Sequence, residues 1–176
     1  MEKQTLNQKL KKIKMLALDM DGVLTNRQII YDSEGRELKF FDAYDGAGIA
    51  MIQECGIKVS IISGRHSNCT EIRGKNLNIS EIHQGNTKKT DVIETILKKH
   101  NLKLDEVAYI GDDLFDIPLI KKVGLGITVA DAVKEVKKHA FYVCKNPGGK
   151  GAVREVTDML LKAQGLWKIY VDKWEI

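Results

Sequence analysis

The stretch Met15-Leu-Ala-Leu-Asp-Met-Asp-Gly-Val-Leu-Thr25 decides how the rest of the chain is read. Its apolar opening is short enough for a strand and too short for a helix. A strand is therefore predicted over Met15–Asp19, ending in Asp19 and Asp21. Residues two apart on an extended chain point to the same side, about 7 Å from each other. One of these carboxylates could attack a phosphorus atom while the other serves the leaving oxygen, because a carboxylate can form an aspartyl phosphate. Gly22 permits a sharp change of backbone direction just after them. The same residues also read as a polar turn. They resemble the start of a calcium loop too, but the further oxygen ligands and the closing Glu of such a loop are missing.

Working outward, strand-like and helix-like runs alternate. Strands are expected at Lys58–Ile62, Val107–Ile110, Leu125–Val129 and Phe141–Val143. Helical spacing marks Gly46–Cys55, Asn68–Leu77, Thr90–Lys99, Phe115–Lys122, Ala132–Lys138 and Ala152–Ala163, and a lysine-rich helix opens the chain (Lys9, Lys11, Lys12, Lys14). This alternation predicts an α/β fold, doubly wound on a mainly parallel sheet, with strands covered on both faces. Arg27–Phe41 breaks the rhythm: two strand-like runs flank a turn with Asp32, Ser33 and Gly35, the pattern of a β-hairpin. No repeat or linker divides the chain, so one domain over residues 1–176 is expected, with a tail from about Gly165.

Ligands of open α/β sheets bind beyond the carboxyl ends of the strands, and two more strand ends carry chemistry. After Lys58–Ile62 come Ser63, Gly64 and Arg65, a hydroxyl and open amides suited to phosphate oxygens and a cation suited to a phosphate or carboxylate. A helix-capping serine and a surface arginine are the plainer readings. After Val107–Ile110 come Gly111, Asp112, Asp113 and Asp116. Bunched carboxylates repel unless a cation offsets them, and magnesium takes oxygen ligands. Asp112 with Asp19 and a backbone carbonyl would make part of a magnesium shell, with Asp113 or Asp116 supporting it from behind. One acid of the three suits a helix start by its charge alone. A lysine must also offset the nucleophile and phosphate, and Lys88 and Lys89 both stand where one could.

Composition narrows the classes. The 176 residues are 43% hydrophobic and 30% charged, as in a soluble globular protein. No apolar run approaches the roughly 20 residues of a membrane span. The first residues, MEKQTLNQKLKK, lack a secretory signal's apolar stretch, so a cytoplasmic location is expected. Cys55, Cys69 and Cys144 show no spacing suited to zinc or a disulfide framework. A net charge of +4 without an aromatic and basic cluster argues against a nucleic-acid partner.

The order D-x-D-G-V-L-T, serine after the second core strand, lysine, then G-D-D-x-x-D resembles the haloacid dehalogenase-like phosphatase superfamily. Further likeness lies in Glu37–Ile49, Gln84–Lys89 and Gly148–Val156, so the resemblance covers roughly residues 13–165. It implies a capless fold and a magnesium-dependent phosphatase acting on 3-deoxy-D-manno-octulosonate 8-phosphate, in lipopolysaccharide precursor synthesis. It implies Asp19 as nucleophile and metal ligand, and Asp21 as acid/base and carbonyl ligand. Ser63 and Lys89 would bind phosphate, and Asp112 would be the remaining metal ligand. Asp42, Ala43, Tyr44, Asp45, Gly46, Arg65 and Arg73 fall where the family handles the sugar acid. The hairpin fits a homotetramer whose neighbouring subunits complete each site. Tyr44 and Ala50 stand where some relatives carry arginine, which leaves a related nine-carbon sugar-acid phosphate, or another small phosphomonoester, as the alternative substrate. Trp167 and Trp174 would pack on a partner subunit or dock the tail on its own chain.

Overall fold

Side-chain alternation in the first strand, β1 (Met15–Leu18), sets the layers. Leu16 and Leu18 enter one buried apolar cluster, and Met15 and Ala17 enter another on the opposite face, as the two-residue period of a strand requires. The computed structural model describes residues 5–174. Helix α1 (Leu6–Leu10) precedes β1 and is shorter than the lysine run suggested. Thr5 and Gln8 form a capping box at its start, and it stops at Leu10 so that Ile13, 1% exposed, can reach the core. Lys12 and Lys14 lie beyond it.

The hairpin follows β1 as strands β2 (Ile30–Tyr31) and β3 (Glu37–Leu38), paired antiparallel. Its turn is built by Asp32, whose carboxylate accepts the amides of Glu34 at 2.9 Å and Arg36 at 2.8 Å, and by Gly35 at φ +77°. Then come α2 (Ala43–Glu54), β4 (Lys58–Ile62), α3 (Asn68–Asn76), β5 (Glu81–His83), α4 (Lys89–His100) and β6 (Val107–Gly111). They are followed by α5 (Ile117–Lys122), β7 (Leu125–Thr128), α6 (Lys134–His139), β8 (Tyr142–Val143), α7 (Ala152–Ala163) and α8 (Trp167–Val171).

Six strands form one sheet in the order β5-β4-β1-β6-β7-β8, and every neighbouring pair is parallel. The expected doubly wound α/β architecture is present. β5 was not anticipated: Glu81-Ile82-His83 holds one apolar residue, and only its pairing with Ser60–Ile62 makes it a strand. The helix expected at Phe115 begins as a single tight turn at Leu114–Asp116 and becomes α-helical from Ile117, with Pro118 in its first turn. Trp167 packs partly buried against its own chain's core, with Lys162 Nζ 4.5 Å from its ring centre. The side chain of Trp174 lies outside the described residues. No helix among the described residues is long and apolar enough to cross a membrane.

The chain runs from β1 outward through β4 and β5, then returns to β6 on the other side of β1. The crevice between β1 and β6 is therefore the point where strand order reverses, the place where such sheets take ligands. The register pairs Leu18 with Ile110, so the two strands finish side by side.

Candidate active site

Asp19 leaves the sheet with its amide still bonded to Ile110 O at 2.9 Å. The chain then makes one wide turn over Met20–Leu24, closed by the Thr25 amide on Met20 O at 3.2 Å. Gly22 sits at φ +97°, and a Cβ there would lie 2.1 Å from Asp112 Oδ2. Glycine is thus required twice over, for its backbone angle and for the approach of Asp112.

This packing gathers Asp19, Asp112 and Asp116, whose carboxylate oxygens lie within 4.8 Å of one another. All three are buried. Lys89, at the first position of α4, reaches between two of them: its Nζ is 2.8 Å from Asp19 Oδ1 and 2.6 Å from Asp116 Oδ1. Its neighbour Lys88 is exposed, so of the pair it is Lys89 that meets these carboxylates. Tyr109 donates its hydroxyl to Asp116 Oδ1 at 2.6 Å and accepts from Lys89 at 3.1 Å. The other oxygen of Asp116 accepts the amides of Asp112 at 2.8 Å and Asp113 at 3.0 Å. Asp116 is therefore fully engaged in holding Lys89 and the strand-end loop.

Asp112 differs. Its Oδ1 is buried without a hydrogen-bond partner among the described residues. Burial, then the charges of Asp19 and Asp116, push its pKa up to about 8, against a smaller opposing pull from Arg27. Burial also raises Asp19 to about 6, although the Lys89 ammonium opposes it. Two buried acids that resist ionisation, one with an orphaned oxygen, are a donor set that a hard divalent cation fits.

A cavity of about 370 Å³ opens over these groups and is lined also by Asp21, Ser63, Gly64 and Arg65. Ser63 is held by its amide on His83 O at 2.8 Å, and its hydroxyl points to Arg65 O at 3.1 Å. Arg65 approaches Asp21 Oδ2 at 3.4 Å and Glu37 Oε1 at 3.1 Å. Asp113 is on the rim and exposed.

Asp42, Ala43, Tyr44, Asp45, Gly46 and Arg73 do not line this cavity. They collect around the start of α2, where most have other work. Asp42 caps that helix, accepting the amides of Tyr44 at 2.7 Å and Asp45 at 3.1 Å. Asp45 accepts the amides of Gly151 at 3.3 Å and Arg154 at 2.7 Å, so it caps α7 from a different helix. Burial holds its pKa up at about 6. Arg73 donates to Asp42 O at 3.3 Å and lies over the Phe41 ring, while Gly46 leaves room for its guanidinium.

Other residues enter the site without a sequence warning. Arg27 lines the cavity and forms an ion pair with Asp131, whose other oxygen accepts the Gly148 amide at 3.0 Å. Lys39 pairs with Asp21, and Thr87 and Phe115 line the wall. Tyr109 differs from these, because a tyrosine in a fully buried strand must find a partner for its hydroxyl.

A sequence model of the haloacid dehalogenase-like hydrolase family matches residues 66–156. The chain is 43% identical over 157 residues to the 3-deoxy-D-manno-octulosonate 8-phosphate phosphatase of Escherichia coli, covering 89% of this chain and 84% of that one. It is similar to the corresponding phosphatase structure from Moraxella catarrhalis, in complex with magnesium, phosphate and the sugar acid. There the TM-score is 0.93 and the identity 40%, over 96% of this chain and 97% of the other. A cobalt-bound form from Haemophilus influenzae superposes with a TM-score of 0.87 at 40% identity, over 90% and 92% of the two chains.

Proposed function

The chain belongs to the haloacid dehalogenase-like hydrolase family, and from that premise we propose a magnesium-dependent phosphatase that releases phosphate from 3-deoxy-D-manno-octulosonate 8-phosphate in the cytoplasm. The observation that carries this reading is the buried Asp19 carboxylate, facing a cavity and flanked by Lys89 and by the unpartnered oxygen of Asp112.

Asp19 attacks phosphorus, forming an Asp19 O–P bond as the ester P–O bond breaks. Asp21 acts as the general acid and gives a proton to the departing sugar oxygen. A water then bonds to phosphorus, its proton passes to Asp21, and the Asp19 O–P bond breaks to free phosphate. Lys89 holds one oxygen of Asp19 and directs the other toward the cavity, while Ser63 and the Gly64 backbone face the phosphoryl oxygens. Magnesium, when bound, would be held by the carboxylates of Asp19 and Asp112 and the backbone carbonyl of Asp21, and would supply charge neutralisation on the transferring group. Positioning and electrostatics provide most of the rate in such transfers. Asp21 beside the nucleophile also favours turnover over a stable phosphoryl-accepting signalling role, since it can activate water.

Arg65 is the cation best placed on this chain for the sugar carboxylate. The hairpin presents Ile29, Tyr31, Leu38 and Phe40 at 50% exposure or more. That apolar face supports self-association, in a homotetramer whose subunits cover one another's cavities against bulk water. A nine-carbon sugar-acid phosphate is the second reading, motivated by Tyr44, which is 70% exposed where some relatives carry a cation. Phosphate release measured with and without magnesium, on both esters side by side, tests these readings. No release from either overturns the phosphatase, and a higher kcat/KM on the nine-carbon ester overturns the substrate.

A further inference from the structure

The second hairpin strand and the two residues after it, Glu37–Phe40, carry two chemistries on two faces. Leu38 and Phe40 point outward, at 50% and 64% exposure, whereas the side chains of Glu37 and Lys39 are 14% and 0% exposed. This is the two-residue alternation of extended chain. The inward pair belongs to a closed network. Lys39 Nζ bonds Asp21 Oδ1 and lies 3.4 Å from Glu37 Oε1. Glu37 also accepts the Ser67 hydroxyl and, at 3.1 Å, the Arg65 guanidinium. The Glu37 carbonyl accepts from Cys69 Sγ at 3.1 Å, which ties the strand to α3.

Asp21 is thus gripped at both oxygens by unequal partners. Arg65 holds Oδ2 at a long 3.4 Å and is 38% exposed, so an anionic substrate can draw it away. The Lys39 side chain is fully buried, and the neighbouring Glu37 carboxylate compensates its charge. A buried lysine with two carboxylate partners has no freedom to follow the substrate. We infer that Lys39 is a positioning residue for the reaction: it fixes Asp21 through Oδ1 and leaves Oδ2 as the oxygen that carries the proton to the leaving group. A hairpin whose outer face meets another subunit then sets the aim of the acid through its inner face. This inference rests on the phosphatase reading above and extends it to a residue outside the cavity wall.

The test exploits the leaving group. A sugar alkoxide needs a proton as it departs, whereas p-nitrophenolate does not. In Lys39→Met, kcat/KM for 3-deoxy-D-manno-octulosonate 8-phosphate is expected to fall about 100-fold, the scale of a misplaced general acid, while kcat/KM for p-nitrophenyl phosphate changes little. Lys39→Arg should narrow the gap between the two esters. Glu37→Gln, which frees Lys39 without removing it, should open the same gap to a smaller extent, and it carries the test if Lys39→Met does not fold. Equal losses on both esters would reduce Lys39 to a structural pin and overturn the inference while leaving the phosphatase intact. A wild-type protein inactive on both esters would overturn the phosphatase reading first and this inference with it.

Discussion

Two segments of this chain look alike on paper: Asp19-Met-Asp-Gly22 and Asp42-Ala-Tyr-Asp-Gly46. Each pairs two acids with a glycine, and each buries a carboxylate. Asp19 is 8% exposed and Asp45 is 1% exposed. Their partners set them apart. Asp45 is answered by two backbone amides at the start of α7, so its charge ends on a helix terminus that attracts anions. Asp19 is answered by one lysine and crowded by Asp116 and Asp112. A carboxylate satisfied by the fold is fixed in place. One left in like-charge company is available to a cation and to a substrate. Buried acid alone therefore does not mark a site, whereas buried acid with unmet demand does.

The sharpest way to break this comparison is to neutralise one acid on the active side. Asp19→Asn keeps the shape and removes the proposed nucleophile, so phosphate release should fall by roughly 10⁴-fold or more in a protein that still folds. Full activity in the purified variant would end Asp19's role. Next comes the cation. Lys89→Ala strips the only ammonium bonded to Asp19 among the described residues and leaves buried carboxylates unpaired. Activity should drop about 10²- to 10³-fold, on the scale of losing one donor to a transferring group, and stability should drop by about 3–5 kcal/mol. Lys88→Ala should do little on either count. The reverse ranking of these two lysines would mean that the burial of Lys89 has no chemical consequence.

A milder test leaves the sequence intact and changes pH. The folded pKa values of Asp19 and Asp112 are raised to about 6 and about 8, above their unfolded values near 3.8. Between roughly pH 4 and pH 8 the folded chain then binds more protons than the unfolded one, so metal-free stability should fall as pH rises through that window. A bound divalent cation favours the ionised acids and opposes the trend. Thermal midpoints in chelator should decline from pH 5 to pH 8, and added magnesium should raise them more at pH 8 than at pH 5. A magnesium effect that shrinks with rising pH would show that the acids are not its ligands.

Legibility in the sequence follows the same divide. The sheet could be read because β1, β4 and β6 are apolar runs stopped by acids, serine or glycine, and such runs carry their own signal. β5 could not, because its identity comes from pairing rather than from its residues. Asp19, Asp21, Ser63 and Asp112 stand at strand ends, and topology alone brings strand ends together. Residue types alone left Lys88 and Lys89 open and only the resemblance pointed to Lys89; the start of α4 buries that one and exposes the other. Lys39 and Arg27 reach the site from the hairpin and from the loop before it, segments whose approach no periodicity encodes. Asp45 is the opposite case. The family resemblance put it near the sugar acid, while its partners in space, the amides of Gly151 and Arg154, lie more than a hundred residues away.

The smallest expected effect on chemistry isolates that last residue. Asp45→Ala leaves the amides at the start of α7 without their acceptor, because Gly151 at the cap position has no side chain to replace it. The loss should be that of a helix cap, about 1–2 kcal/mol, read as a lowered denaturation midpoint. Asp45→Asn should recover part of it, since an amide oxygen still accepts from Arg154 N. Because Asp45 lies off the cavity wall, kcat/KM for the sugar phosphate should stay close to wild type in both variants at a temperature where they are folded. A large fall in kcat/KM with the midpoint unchanged would place Asp45 on the substrate's side after all. The contrast between the two aspartate segments would then lie in which subunit's ligand each one meets, rather than in whether its charge is already satisfied.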